Sequence, residues 1–201
     1  MVKKLTLAAS FAFLAGCSIL PDRPPLNYYD FSISPPAETV ISSKKLPASV
    51  RVNLPDIATP YNSPKLYIKG KDNRFYATNI NRLVASPNDI IGDDLRQWLD
   101  RTGPWSMVLA PNSLASPDYQ MTLYISELFA NASVQQPGDT VISMDVSVTR
   151  ASNDKLVFNK HYRIVTPIEQ ESVPALIKSY SVGFNNLFEE LSKDLNNRFI
   201  K

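Results

Sequence analysis

The chain has 201 residues, 44% of them hydrophobic, with 21 Lys and Arg against 19 Asp and Glu. That near balance leaves no electrostatic footprint for nucleic acid, and no basic run with interleaved aromatics supplies one, so nucleic-acid binding is not expected. With a single cysteine and a single histidine, the chain cannot form an internal disulfide or the usual zinc sites.

At the N-terminus, Lys3 and Lys4 precede an apolar stretch from Leu5 to Ala15, broken only by Thr6 and Ser10. As a helix this stretch rises only ~16 Å, too short for a ~30 Å hydrocarbon core, so it reads as a cleaved export signal. Leu14-Ala15-Gly16-Cys17 resembles the lipobox of bacterial lipoproteins. The resemblance implies a diacylglyceryl group on the Cys17 sulfur, cleavage after residue 16 and acylation of the new amine. Two or three acyl chains, at ~0.8 kcal/mol per buried CH₂, would make a lasting membrane anchor. Ser18 stands where inner-membrane retention usually shows Asp, which points to the outer membrane of a Gram-negative host. The alternative is an ordinary secretory signal that ends at a cysteine.

Cleavage leaves 185 residues with 19 basic and 19 acidic side chains, the size of one domain. Residues 17–48 read as the lipidated Cys17, a Pro-rich tether through Pro21, Pro24 and Pro25, and a first strand leading into a single domain over 49–201. Tyr28, Tyr29 and Phe31 suit a short edge strand; a partner-binding motif is the other reading.

Ser49 to Leu54 alternates as a half-buried strand, with Val50, Val52 and Leu54 on one face. A loop bounded by Pro55 and Pro60 follows. Residues 65–69 and 74–77 flank Gly70-Lys71-Asp72-Asn73 as a hairpin. Ser86 to Arg101 is the clearest helix: Ser86 suits the cap, Pro87 the first position, and Asp89 completes an acidic capping box. Ile91, Leu95 and Trp98 make its apolar stripe. Gly92 costs it ~1 kcal/mol relative to Ala and marks a close contact. Gly103-Pro104 stops it. Trp105 to Ala110 reads as a short strand. Alternation over 119–129, 140–149 and 156–165 predicts a three-stranded antiparallel meander. A long helix from about Val173 to Phe199 closes the chain, capped by Ser172. Together these elements predict an α+β fold: a two-layer sandwich, mainly antiparallel sheet, with two amphipathic helices on one face.

Little in the sequence suggests catalysis. His161 lies mid-strand, where a sheet-packed or surface role suits it better than that of a base. Asp89, Asp93 and Asp94 stand near a helix N-terminus, where the macrodipole favours negative charge. No clustered glycines form a phosphate loop. The sequence therefore predicts no catalytic residues, no cofactor and no metal.

The lipobox, Asn27-Tyr28-Tyr29-Asp30-Phe31, the 50–54 strand, and Asn81-Arg82-Leu83-Val84-Ala85-Ser86-Pro87 leading into Leu95 and Leu99 together resemble the PqiC (YmbA) type of ABC-transport auxiliary lipoprotein. Val84 stands where members of that family often carry Trp. The resemblance implies a non-enzymatic protein at the outer-membrane end of a lipid-transport system. Its partner would be an MCE-domain protein anchored in the inner membrane, docked by a lipid-tethered domain, with a homo-oligomeric ring suiting a tubular conduit. For partner contact the sequence nominates Tyr28, Tyr29, Arg82 and Asn88, with core-sealing roles as the alternative. A lipid-binding carrier and an assembly factor for an outer-membrane complex are the competing functions.

Overall fold

The structure is a computed structural model that describes residues 24–35, 45–133 and 136–200. The export signal, Cys17, Ser18 and Pro21 lie outside the described residues. In chain order the elements are β1 (Asn27–Tyr29), β2 (Leu46–Val52), β3 (Asp56–Ile57), β4 (Lys65–Lys69), β5 (Phe75–Leu83), α1 (Pro87–Thr102), β6 (Trp105–Leu109), β7 (Tyr119–Ser133), β8 (Gln136–Arg150), β9 (Lys155–Pro167) and α2 (Val173–Phe199).

The chain is α+β, and the nine strands form one sheet. The expected meander is present, with β8 antiparallel to both β7 and β9. The β4–β5 hairpin is antiparallel as well. The rest of the sheet is parallel, so the sheet is mixed and the expectation of a mainly antiparallel one holds only in part: β1 pairs β5, β2 pairs β6, and β2, β3 and β4 all pair β7. Alternation tells which side chains point inward, but it carries no information about the direction of the neighbouring strand.

The free edge of β7 is filled by three short strands in series. Val50 lies beside Tyr119, Ile57 beside Ile125 and Ile68 beside Ala130. The segment read as a Pro-bounded loop thus contributes β3 and a 3₁₀ turn at Thr59–Tyr61. Tyr61 is buried and stacks on Phe129 at 6.0 Å.

One sheet face meets both helices. Met121, Leu123, Ile125, Ile142, Met144, Val146 and Val148 are buried there with Leu95, Leu99, Phe184, Leu187, Phe188 and Leu191. The helices are joined by a polar clasp: Trp98 Nε1 donates to Ser192 Oγ at 2.9 Å, and Thr102 Oγ1 lies 2.8 Å from the same oxygen. On the opposite face Arg163 pairs with Glu127 at 3.0 Å, and Tyr124 and Val165 are exposed.

The helix boundaries follow the sequence closely, with one difference in mechanism. Ser86 caps α1 without a side-chain hydrogen bond, so the expected box is not made. Its backbone carbonyl instead accepts from Asp89 N at 3.1 Å and from Ile90 N at 3.2 Å. Ser172 does cap α2, accepting from Ala175 N through its side chain. Gly92 marks a close approach, since a Cβ there would stand 3.0 Å from both Leu54 Cδ2 and Pro55 Cδ.

Phe31 and Ile33 belong to the core, and β2 starts at Leu46, so the packed body reaches back before residue 49. Phe31 lies 5.7 Å from Tyr180 and 5.4 Å from Phe184. Ser32 N donates to Ser181 Oγ at 3.0 Å. These contacts fasten the segment after β1 to α2. Phe31→Ala should cost about 3 kcal/mol of stability by cavity formation and raise hydrogen exchange over residues 27–33. Denaturant titration with exchange mass spectrometry checks it; unchanged exchange there would assign the segment's order to other contacts.

Candidate functional site

Three of the four residues nominated for partner contact come together at one sheet edge. In the parallel pairing of β1 with β5, Asn27 lies beside Asn81, Tyr28 beside Arg82 and Tyr29 beside Leu83. The backbone links continue beyond the strand, where Val84 N donates to Tyr29 O at 2.9 Å. Alternation then separates the two tyrosines. Tyr29 is half-buried, and its hydroxyl donates to Asn81 Oδ1 at 3.5 Å. Tyr28 points the other way and is 59% exposed, with Leu26 and Val84 exposed nearby. Tyr29 therefore seals the edge, and Tyr28 is offered to the surroundings.

Arg82 sits on the Tyr28 side, and its Nε reaches only the carbonyl of Asn79, at 3.4 Å. Directly across from it on β4 is Lys65. Asn88 stands apart on the first turn of α1. It is half-buried, and its Oδ1 is shielded from solvent without a hydrogen-bond partner. No hydrogen bond among the described residues links it to the other three.

The acidic residues of α1 separate by environment. Asp89 is exposed in the first turn, and Asp93 pairs with Arg96 at 3.1 Å. Asp94 is half-buried, and its pKa is pushed up to about 6, mainly by burial and then by the charges of Asp30 and Asp93. That Asp30 and Asp94 share a neighbourhood is not legible in the sequence, because they lie on different parts of the chain.

The sheet also assembles a constellation that sequence reasoning missed. His161 Nδ1 is 2.8 Å from Asp145 Oδ1, and its Nε2 is 3.3 Å from Ser143 Oγ. Asp145 lies opposite His161 across the β8–β9 ladder, and Ser143 is two residues along on the same face. The order of groups matches a Ser–His–Asp relay. The surroundings do not complete one. β8 is bonded on both sides, so its N–H groups serve the ladder and no free pair is aimed as an oxyanion hole. The contacts follow from cross-strand neighbourhood on an open sheet face. Among the described residues, no group of three or more His, Cys, Asp or Glu could hold a metal ion.

The sequence model for the ABC-type transport auxiliary lipoprotein component matches residues 29–192. The chain belongs to this family. No curated protein sequence matches it. Among solved structures, it is similar to a Xanthomonas campestris protein assigned to the DUF330 family model, with TM-score 0.71 and 13% identity, covering 82% of this chain and 92% of that one. An uncharacterized protein has TM-score 0.68 at 12% identity, covering 85% of this chain and 99% of its own. A hypothetical protein from Chlamydia trachomatis has TM-score 0.55 at 9% identity, covering 77% and 99% respectively. At these identities the likeness is one of fold. As a member of this auxiliary family the chain is a lipoprotein component of an ABC-type transport system, and among its described residues no helix is long and apolar enough to cross a membrane.

Two outcomes follow from these local environments. The raised pKa of Asp94 means the folded state binds its proton more tightly than the unfolded chain does, so ionising it costs stability as pH rises from about 4 to about 6. Asp94→Asn should therefore stabilise the protein at pH 7 by ~1 kcal/mol, solvent screening at this half-exposed site holding the gain to that size. It should give no gain at pH 3.5, and equal effects at both pH values would contradict the burial argument. For the Ser143–His161–Asp145 row, a fluorophosphonate probe should fail to label Ser143; a stoichiometric adduct would establish an activated serine.

Proposed function

We propose that this chain is the outer-membrane end of a trans-envelope lipid-transport system, a non-enzymatic lipoprotein held by lipid on Cys17. It docks a periplasmic conduit formed by an MCE-domain protein anchored in the inner membrane. The observation that carries the reading is the family match over 29–192, joined to a lipobox-like Leu14-Ala15-Gly16-Cys17 ahead of it. Ser18, rather than Asp, after the cysteine supports the outer membrane as destination. A ring of several copies would present a tubular partner with a matching rim.

The interior supports docking over carriage. The apolar gap between sheet and helices, lined by Phe31, Tyr61, Leu66, Leu83, Leu128 and Tyr180 among others, has a volume of about 10 Å³. That is room for one water and far too little for an acyl chain. The core is filled instead by interlocking aromatic rings, with Phe184 5.9 Å from Phe188 and Phe188 5.7 Å from Trp98.

Crosslinking of the lipidated protein in its native envelope, followed by purification and mass spectrometry, should recover an inner-membrane MCE-domain protein. Recovery of an outer-membrane barrel in its place would favour an assembly factor. Lipid without any protein partner would return the carrier reading.

A further inference from the structure

We propose that the face formed by Leu26, Tyr28, Arg82 and Val84, together with Lys65, rests on the phospholipid surface in which Cys17 is anchored. The inference depends on the lipid-anchor reading of Cys17 and adds to it an orientation of the domain.

Strand geometry defines the face. Asn27 Nδ2 donates to Asn81 Oδ1 at 3.1 Å, and Tyr29 turns to the same asparagine. The alternate residues, Leu26, Tyr28, Arg82 and Val84, must project from the opposite side. Leu26, Tyr28 and Val84 are 43%, 59% and 53% exposed, an apolar group at the edge of a sheet. Ile80, in the adjoining irregular stretch of β5, is 39% exposed.

Charge points to what covers it. Lys65 and Arg82 are directly opposed in the antiparallel β4–β5 ladder, so their side chains share a face. Like charges at such positions repel. Neither forms an ion pair among the described residues, although Lys and Arg side chains make six ion pairs elsewhere among them. Two cations with no carboxylate paired to either, flanked by a tyrosine and aliphatic side chains, match an interface where phosphates lie above acyl chains.

The length of chain gives the location. Leu26 is only nine residues after Cys17. Nine residues reach at most ~30 Å, fully extended, and the chain enters the fold at this edge. A membrane surface is thus within reach of β1 by construction. Two of the residues nominated from sequence for the protein conduit, Tyr28 and Arg82, are on this argument matched to the lipid.

Photo-crosslinking in intact envelopes tests it. Benzoylphenylalanine is placed at 28, at 84, and at the control position 156, which is 54% exposed in the strand that follows the β8–β9 turn. Phospholipid adducts should form at 28 and 84 several-fold more than at 156. Combining Lys65→Gln with Arg82→Gln should reduce them several-fold. The mass of the N-terminal peptide reports the acyl groups on Cys17 in the same samples. Acylated Cys17 without preferential lipid adducts overturns the face alone. Adducts only to a second copy, or only to another protein, do the same and name the occupant instead. An unmodified Cys17 overturns the anchor and the face with it.

Discussion

The 15-residue strand β7 imposes the constraint that the rest of the fold answers. At about 3.3 Å per residue it is some 50 Å long, and buried backbone N–H and C=O groups must be paired along both edges. One edge is met by β8, an equally long strand delivered by a hairpin. The other is met by β2, β3 and β4, which lie along it in sequence order and in parallel. A local turn cannot supply parallel pairing, so residues 46–69 must be laid down against a strand that comes fifty or more positions later. The folding of the N-terminal half is therefore tied to the C-terminal half, and the two helices close over a face built by both.

α2 is locked to that face by chemistry as well as by packing. Asp194 Oδ2 accepts from Tyr162 at 2.9 Å and from Lys160 at 2.6 Å, and Glu190 takes a second bond from Lys160 at 2.9 Å. Burial, then the Asp194 hydrogen bond and charge, push the Tyr162 phenol far above its ordinary range, so it stays a donor throughout. The hydrogen bonds to Asp194 and Glu190 likewise raise the Lys160 pKa. Lys160 is partly exposed, which keeps the ion-pair contribution modest; the network fixes the register of helix on strand more than it adds stability. Near its start the same helix holds Phe31 and Ser32, so the anchor of the sheet face is also the anchor of the segment behind β1.

That linkage connects fold to function. The tethered, conduit-docking role proposed above requires β1 to be fixed relative to the body of the domain, since otherwise a tether would transmit no orientation. Here β1 is tied on one side to β5 and, through Phe31, to α2. The edge so produced is apolar and cationic outward and hydrogen-bonded inward. Meanwhile the opposite sheet face carries two polar pairs, His161 with Asp145 and Arg163 with Glu127.

The sequence by itself determined the local elements and the family. Alternation located β7 to β9, Ser172 placed the start of α2, and Ser86-Pro87 that of α1, because these signals act within a few residues of themselves. It also singled out Tyr28, Tyr29 and Arg82. Only the tertiary structure decided that Tyr28 is offered outward while Tyr29 seals the edge, and that Arg82 stands opposite Lys65. The bulge between Ile125 and Glu127 was equally silent: it shifts the alternation so that Leu128 follows Ile125 on the inner face and Phe129 turns outward to meet Tyr61. The direction of β2, β3 and β4 left no trace either, because strand pairing over long separations is set by burial of the whole sheet face and has no periodic signature in the residues that take part. The Asp30–Asp94 repulsion and the Ser143–His161–Asp145 row needed the packing of a helix on the sheet edge and the register of a hairpin, neither of which alternation carries.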